Sequence, residues 1–128
     1  MYAAHRQYQA LSIASRIESA SPHELVTILY EELLRALEVT RAALAQGRSD
    51  AARSARERSA SILVALDASL DLERGGEPAR SLAQIYCSMQ KELTRAVQDS
   101  DAARLEALRQ GVADLHSAWV QIGTRKAA

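Results

Sequence analysis

The most constraining feature of this sequence is a regular recurrence of large apolar residues near its C-terminal end. They are spaced alternately three and four positions apart: Leu105, Leu108, Val112, Leu115, Trp119 and Ile122. This spacing places them on one stripe of an α-helix and is typical of a helix that packs in a left-handed bundle. The stripe therefore predicts one long helix of a helical bundle.

A helix-start signal with a clear mechanism occurs further upstream. Ser21 can accept a hydrogen bond from the N–H of Glu24, and Glu24 can reach back to Ser21, which makes a capping box. Pro22 then falls at the first helical position, where its missing donor costs nothing. The first long helix is predicted from there to about Gln46, and Gly47 supplies the stop.

Similar signals separate the remaining helices. They are Ser49 or Asp50 before the second helix, ERGGEP at 73–78 after it, and Ser100 or Asp101 before the fourth. The third helix is predicted from about Pro78 to Gln98. Because the connections are short, consecutive helices should be antiparallel neighbours. The predicted fold is all-α, an antiparallel up-down four-helix bundle at 19–123, with a short N-terminal arm or helix at 1–18 and a frayed tail at 124–128.

Composition narrows the function classes. The chain has 128 residues, which fits one domain, and its 16 basic residues equal its 16 acidic ones. This balance gives no general reason to bind nucleic acid or an anionic membrane, although it leaves a local basic patch open. The N-terminal stretch lacks the apolar run of a secretory signal, and nothing approaches the ~20 apolar residues of a membrane span. The single cysteine, Cys87, allows no intramolecular disulfide and is compatible with a cytoplasmic location.

Motifs for catalysis or cofactor binding are missing from the sequence. Bundles that hold di-iron sites need Glu-x-x-His on two helices, and this chain has no such motif. It also lacks a P-loop, a dinucleotide-binding glycine motif and His-Glu-x-x-His. The carboxylates mostly have arginines at helical spacing, as in Glu31–Arg35 and Glu38–Arg41. We therefore expect no metal, no cofactor and no enzymatic activity.

Several short motifs occur in a characteristic order. They are Met1-Tyr2, Tyr8, ASPHEL at 20–25, Leu29-Tyr30, LDLERGGEPARSLAQIYCSM at 70–89 and LHSAW at 115–119. Over residues 1 to about 122, this order and spacing resemble the flagellar export chaperone FliS family. The sequence departs from the family's usual pattern at Glu32, where glycine is usual, and at Cys87, where aspartate is usual.

The resemblance implies a cytoplasmic binding protein. FliS-like proteins are antiparallel helical bundles that bind the C-terminal segment of flagellin, prevent its premature polymerisation and keep it export-competent. The loaded complex is then recognised by a component of the flagellar export gate. Neither a cofactor nor a metal is implied, and neither nucleic acid nor membrane insertion is expected. The alternative is a helical-bundle adaptor or regulatory module that acts by self-association or protein binding.

The helix that begins at Pro22 suggests where a client would bind, because residues 25–37 carry more apolar side chains than one buried stripe requires. The predicted client-binding residues are Tyr8, Leu11, Ile13, Val26, Tyr30, Leu34, Leu37 and Tyr86. A tight bundle would explain Tyr30, Leu34 and Leu37 equally well as core residues. Core packing is the preferred role for a second group: Ile62, Leu66, Ile85, Met89, Leu115 and Trp119. The apolar arm, with Tyr8, Leu11 and Ile13, is either a lid over the client groove or permanent structure.

Overall fold

The structure, a computed structural model, describes residues 13–127 and the side chains of residues 13–124. Its helices are the described part of α1 at 13–19, α2 at Pro22–Ala45, α3 at Ser49–Ala68, α4 at Leu72–Gln98 and α5 at Ala102–Ala127. No β-strand occurs between residues 13 and 127, and the predicted all-α fold class is confirmed. The division of the chain into an arm, a bundle and a tail stays a prediction.

Three of the predicted boundary residues act at the helix ends assigned to them. The backbone N–H of Glu24 donates to Ser21 Oγ at 3.2 Å, which caps the start of α2. The reciprocal bond of the predicted capping box, from the N–H of Ser21 to the Glu24 side chain, is not formed. The backbone N–H of Arg104 donates to Asp101 Oδ1 at 3.1 Å, which caps α5 in the same way. Gly47 follows α2 with φ of 71°, a left-handed conformation that strains residues with a side chain.

The start of α3 differs from the prediction. Arg48 occupies the position before the helix and makes no side-chain capping bond, while Ser49 and Asp50 already lie inside the helix. Only residues 46–48 connect α2 to α3, so the predicted caps fall in the first turn instead of ahead of it. The first turn of α3 therefore lacks a side-chain acceptor for its free N–H groups.

The glycine pair also acts at a different place than predicted. The helix α3 ends at Ala68, and Asp71 caps the first turn of α4 by accepting from the N–H of Arg74 at 3.1 Å. The break then occurs inside α4, where Gly76 has φ 57° and ψ −138°. The regular part of α4 follows this kink with Pro78 in its first turn, which agrees with the predicted start of the third helix.

The four long helices form a closed ring in which α2 and α4 each pack against both α3 and α5. Trp119 Nε1 donates to the carbonyl oxygen of His23 at 3.0 Å, so the end of α5 lies beside the start of α2. Arg41 Nε lies 3.9 Å from Glu106 Oε2, so the start of α5 lies beside the end of α2. These contacts agree with the predicted antiparallel arrangement.

Leucines from all four long helices dominate the core. The most completely buried are Leu33, Leu37, Leu63, Leu66, Leu93 and Leu105. Two buried hydroxyls, of Thr40 and Ser59, donate to carbonyl oxygens one turn earlier in their own helices. Their burial therefore leaves no hydrogen-bond donor without a partner in the core. Within residues 13–127 no helix combines the length and the apolar content that crossing a bilayer requires.

The predicted core group is correct for most members. Ile62 and Leu66 are buried, and the side chains of Met89, Leu115 and Trp119 pack against the core while remaining partly exposed. Ile85 was wrongly assigned, because 39% of its surface is exposed. It occupies the edge of the apolar arc of α4, where the neighbouring helix does not cover it.

Candidate functional site

An apolar groove runs along the surface between α4 and α5. These two helices pack less extensively than any other neighbouring pair of the ring. The groove has a volume of about 570 Å³ and a mostly apolar surface, and its lining residues are Ser81, Gln84, Ile85, Ser88, Met89, Glu92 and Leu108. A surface of this shape and chemistry is typical of binding sites.

The sequence of α4 explains why the groove exists. Tyr86 and Leu93, seven positions apart, are buried in the bundle. Ile85 and Met89 lie beside that stripe and line the groove instead. Opposite Met89 the helix α5 carries Gly111, where an added Cβ would stand 3.8 Å from Met89 Cε. Because glycine has no side chain, α5 does not cover the methionine at this point.

An ion pair lies at the Glu92 end of the groove. Arg104 Nε donates to Glu92 Oε1 at 2.6 Å and Arg104 Nη2 donates to Glu92 Oε2 at 3.2 Å, which joins the last part of α4 to the first turn of α5. Arg104 Nη1 also donates to Asp99 Oδ2 at 3.2 Å. The hydrogen bond that Arg104 donates to Glu92 raises the pKa of Arg104 above its ordinary value. The paired geometry fixes the spacing of the two helices at this end.

The groove presents a binding surface and few reacting groups. Glu92 is the titratable side chain in its lining, and Arg104 already binds it. Among the side chains of residues 13–124, no three His, Cys, Asp or Glu residues lie close enough together to hold a metal ion. The hydroxyl and amide groups of Ser81, Gln84 and Ser88 flank the apolar surface, so the groove suits one face of an amphipathic segment.

Two predicted client-binding residues meet in the core. Tyr30 Oη of α2 lies 2.5 Å from Tyr86 Oη of α4, and both residues are 2% exposed. Because α2 and α4 stand at opposite corners of the ring, this hydrogen bond crosses the centre of the bundle. Burial raises the pKa of Tyr30, partly offset by its bond with Tyr86, whereas burial and the same bond both raise the pKa of Tyr86.

The other predicted client-binding residues are dispersed. Leu37 is buried in the core, while Val26 and Leu34 pack against it and remain partly exposed. Ile13 is partly exposed on α1. Tyr8 and Leu11 lie outside the described residues, as does most of the predicted lid. The assignment of these residues to client binding stays a prediction.

The groove between α4 and α5 was not predicted from the sequence. Leu108 was predicted as part of the α5 stripe, and Ile85 and Met89 were predicted as core residues. One signal was available: the apolar residues of α4 at 82, 85, 86 and 89 span more than one stripe, as residues 25–37 do. A broad apolar arc is compatible with an exposed edge as well as with deep burial.

The chain was compared with known protein families and proteins. The sequence model of the family described as "Flagellar protein FliS" matches residues 4–126. The flagellar secretion chaperone FliS of Salmonella typhimurium is 34% identical over 121 residues, which cover 94% of this chain and 90% of that protein. The flagellar secretion chaperone FliS of Vibrio cholerae is 30% identical over 115 residues, with 90% and 85% of the two chains covered.

A third relative extends the match to a further species. The flagellar secretion chaperone FliSB of Pseudomonas aeruginosa is 31% identical over 121 residues, which cover 93% of this chain and 96% of that protein. These matches span the helices that form the ring and the groove, and they confirm the resemblance found in the sequence motifs. The chain belongs to the FliS family of flagellar proteins, which is a family of secretion chaperones and not of enzymes.

Proposed function

We propose that this chain binds the C-terminal segment of flagellin in the cytoplasm, prevents its premature polymerisation and keeps it competent for flagellar export. Three relatives that match most of the chain are named flagellar secretion chaperones, which supports an export client. The loaded complex is then received by a component of the export gate. Release at that point requires binding without a covalent bond, and a groove provides such binding.

The observation that carries this proposal is the apolar groove between α4 and α5. Ile85 is 39% exposed there, although an isoleucine at a bundle interface would ordinarily be covered. A client segment that folds into a short amphipathic helix could place its apolar face on Ile85, Met89 and Leu108. Ordering such a segment costs on the order of 2–5 kcal/mol, which burial of roughly 1,000–3,000 Å² can offset.

The predicted client-binding residues have two roles in this proposal. Ile13, Val26 and Leu34 keep exposed surface and would contact the client directly. Tyr30, Leu37 and Tyr86 are buried and would act by holding the helices that carry the contact surface. The Tyr30–Tyr86 bond is suited to this supporting role, because it links the helix that bears Val26 and Leu34 to the helix that bears Ile85.

Titration calorimetry tests the proposal with the purified full chain and the C-terminal segment of flagellin from the same cell. The N-terminal segment of that flagellin is the control. We expect saturable binding of the C-terminal segment alone, with a negative heat-capacity change from burial of apolar surface. Failure of the C-terminal segment to bind, or equal binding of both segments, would refute the proposed function.

A pair of variants locates the client site. Ile85→Glu places a charge in the groove, and Val39→Glu is a matched control because Val39 is 56% exposed on α2 and is absent from the groove lining. We expect Ile85→Glu to weaken client binding about tenfold or more and Val39→Glu to leave it nearly unchanged. Equal affinities of the two variants for the client would place the client site elsewhere.

The alternative function predicts a different observation. A molecular mass in solution that rises with protein concentration, without client binding, would favour the self-associating adaptor instead.

A further inference from the structure

A second groove, between the first half of α3 and the last turns of α4, differs in chemistry from the one described above. It has a volume of about 360 Å³, and its lining residues are Leu44, Ser49, Ala52, Arg53, Arg56, Thr94, Val97, Gln98 and Ser100. A shallow depression adjoins it on α4, lined by Gln90, Lys91, Thr94, Arg95 and Gln98. Because Thr94 and Gln98 border both, the two form one continuous surface.

Four cationic side chains surround this surface, which we term the basic groove: Arg53 and Arg56 on α3, and Lys91 and Arg95 on α4. None of the four takes part in an ion pair within the part of the chain that the structure describes. Most other arginines of the described chain, such as Arg58 and Arg104, do form ion pairs.

Several charged residues next to the basic groove are already paired with one another. On α3, Arg58 binds Glu32 of α2 at 3.1 Å, and on the α4 side Arg104 binds both Glu92 and Asp99. The carboxylates closest to the end of α4 are thus occupied by Arg104. The four cations of the basic groove therefore retain their charge and their donors for a partner, in a chain whose net charge is zero.

We propose that the basic groove binds an acidic segment of a partner protein. Arginine guanidinium groups form paired hydrogen bonds with carboxylates, and Arg53 and Arg56 lie one turn apart on α3. Lys91 and Arg95 line the adjoining depression on α4. The groove also offers the partly exposed apolar side chains of Leu44 and Val97. A segment that carries carboxylates together with small apolar residues complements this arrangement.

A protein partner fits the surface better than a nucleic acid. Phosphate backbones attract a continuous basic stripe, and their binding grows with the number of phosphates neutralised. Here Asp50 and Glu57 stand on the same stretch of α3 as the two arginines. Those carboxylates would repel a polyanion that extends past the groove, whereas a short acidic segment can end before it reaches them. This proposal does not rest on the flagellin-binding function.

The experiment uses the full chain and three fluorescent probes: a short glutamate homopeptide, a glutamine homopeptide of equal length and a short single-stranded DNA. Fluorescence anisotropy is measured at low and at physiological salt. The test variant is Arg53→Glu with Lys91→Glu, since both side chains are exposed. The matched control is Arg74→Glu with Arg80→Glu, which reverses two exposed arginines near the other end of α4.

We expect the glutamate peptide to bind the natural chain, the glutamine peptide not to bind, and salt to weaken binding. The test variant should lose on the order of tenfold in affinity, because each reversal removes one attraction and adds one repulsion, and the control variant should change little. Absence of glutamate-peptide binding, an equal loss in both variants, or tighter binding of DNA than of the peptide would each overturn the proposal. Because flagellin is not a probe here, failure would leave the proposed client function untouched.

Discussion

The helices α2 and α4 differ in how much of each is buried, although both pack against the same two neighbours from opposite corners of the ring. The 24-residue α2 buries seven of its residues, whereas the 27-residue α4 buries only four. Both surface grooves discussed above are lined by α4. The comparison indicates that α2 is the more deeply buried of the two helices, and that α4 carries more of the surface available to partners.

The contacts to α5 show how this difference arises. At the start of α2, the ring of His23 stacks on Trp119 with centroids 4.4 Å apart, and the tryptophan also hydrogen-bonds the His23 backbone. Among the side chains of residues 13–124, α4 has one ion pair to α5, at Glu92, and beyond it the surface opens into the groove. Aromatic stacking and apolar burial stabilise more than exposed ion pairs do, so α4 is held less firmly than α2.

Core truncation should show the largest difference between the two corners. Leu33→Ala, at a fully buried position of α2, should lower the free energy of unfolding by about 2–5 kcal/mol. Ile85→Ala, at an exposed position of α4, should lower it by less than ~1 kcal/mol, because much of the side chain is already in water. Urea denaturation of both variants measures this difference. Equal losses would contradict the difference in burial between the two helices.

The bond between Tyr30 and Tyr86 sharpens the comparison, because it is a direct link between the two corners. Tyr30→Phe or Tyr86→Phe alone should cost about 1–3 kcal/mol, since each leaves one buried hydroxyl without its partner. The double variant should cost less than the sum of the two, which a double-mutant cycle measures. Additive losses would show that the hydroxyl groups do not interact in solution.

The same pair predicts a loss of stability at alkaline pH. In the folded chain the pKa of each tyrosine lies above its ordinary value of 10.0, mainly because both are buried. Their contribution to stability is therefore complete below pH 10.0 and is lost progressively as the pH rises above it. The double phenylalanine variant should show a weaker alkaline loss in a series of denaturation curves.

Two glycines of α5 provide a smaller, internally controlled comparison. A Cβ at Gly111 would meet Met89 at an ordinary contact distance, so Gly111→Ala should stabilise the chain by ~0.5–1 kcal/mol through helix propensity. A Cβ at Gly123 would overlap the ring of His23, so Gly123→Ala must displace that ring from Trp119, at a cost of ~1–3 kcal/mol.

The measurement combines urea denaturation with the fluorescence of Trp119, the single tryptophan of the sequence. We expect the emission to change in Gly123→Ala and to stay the same in Gly111→Ala. If both alanines stabilise the chain equally and neither alters the emission, the stack between His23 and Trp119 contributes nothing to the contact between α2 and α5.

The sequence predicted those features that depend on neighbouring residues. The Ser21 cap, the left-handed Gly47 and the α5 stripe are local or periodic features. The structure has the first two, and it buries the stripe from Leu105 to Val112, whereas Ile122 at its end is exposed. Ile85 was misassigned because a broad apolar arc does not reveal which part a neighbouring helix covers. That depends on how closely α4 and α5 approach each other.

Contacts between residues far apart in the sequence could not be predicted either, because they too depend on how the helices pack. Tyr30 and Tyr86 are 56 positions apart, and both were singled out without any sign that they touch. The pair Glu31–Arg35 was predicted from spacing, but Arg35 binds Glu32 and Glu31 binds Arg16 of α1 at 2.9 Å. Helical spacing permits several partners, and only the packing of α1 against α2 selects among them.

The smallest predicted effect concerns Glu106 of α5, which pairs with Arg109 of its own helix and lies 3.9 Å from Arg41 of α2. The pKa of Glu106 is lowered from 4.5 to about 2, first by its hydrogen bond from Arg109 and then by one from Gln110. Because this pKa is depressed in the folded chain, the contribution of Glu106 to stability is present above pH 4.5 and is lost as the pH falls toward 2.

Replacement of the arginine tests this contribution. Arg109→Gln should make the free energy of unfolding less dependent on pH in this range, and high salt should reduce the difference, since the pair is exposed. Arg80→Gln, which removes the exposed pair with Glu77 on α4, is the control. An identical acid response of both variants would show that the Arg109–Glu106 pair contributes no more than the exposed Arg80–Glu77 pair on α4. Apolar packing and the His23–Trp119 stack would then be left as the source of the difference between the two corners.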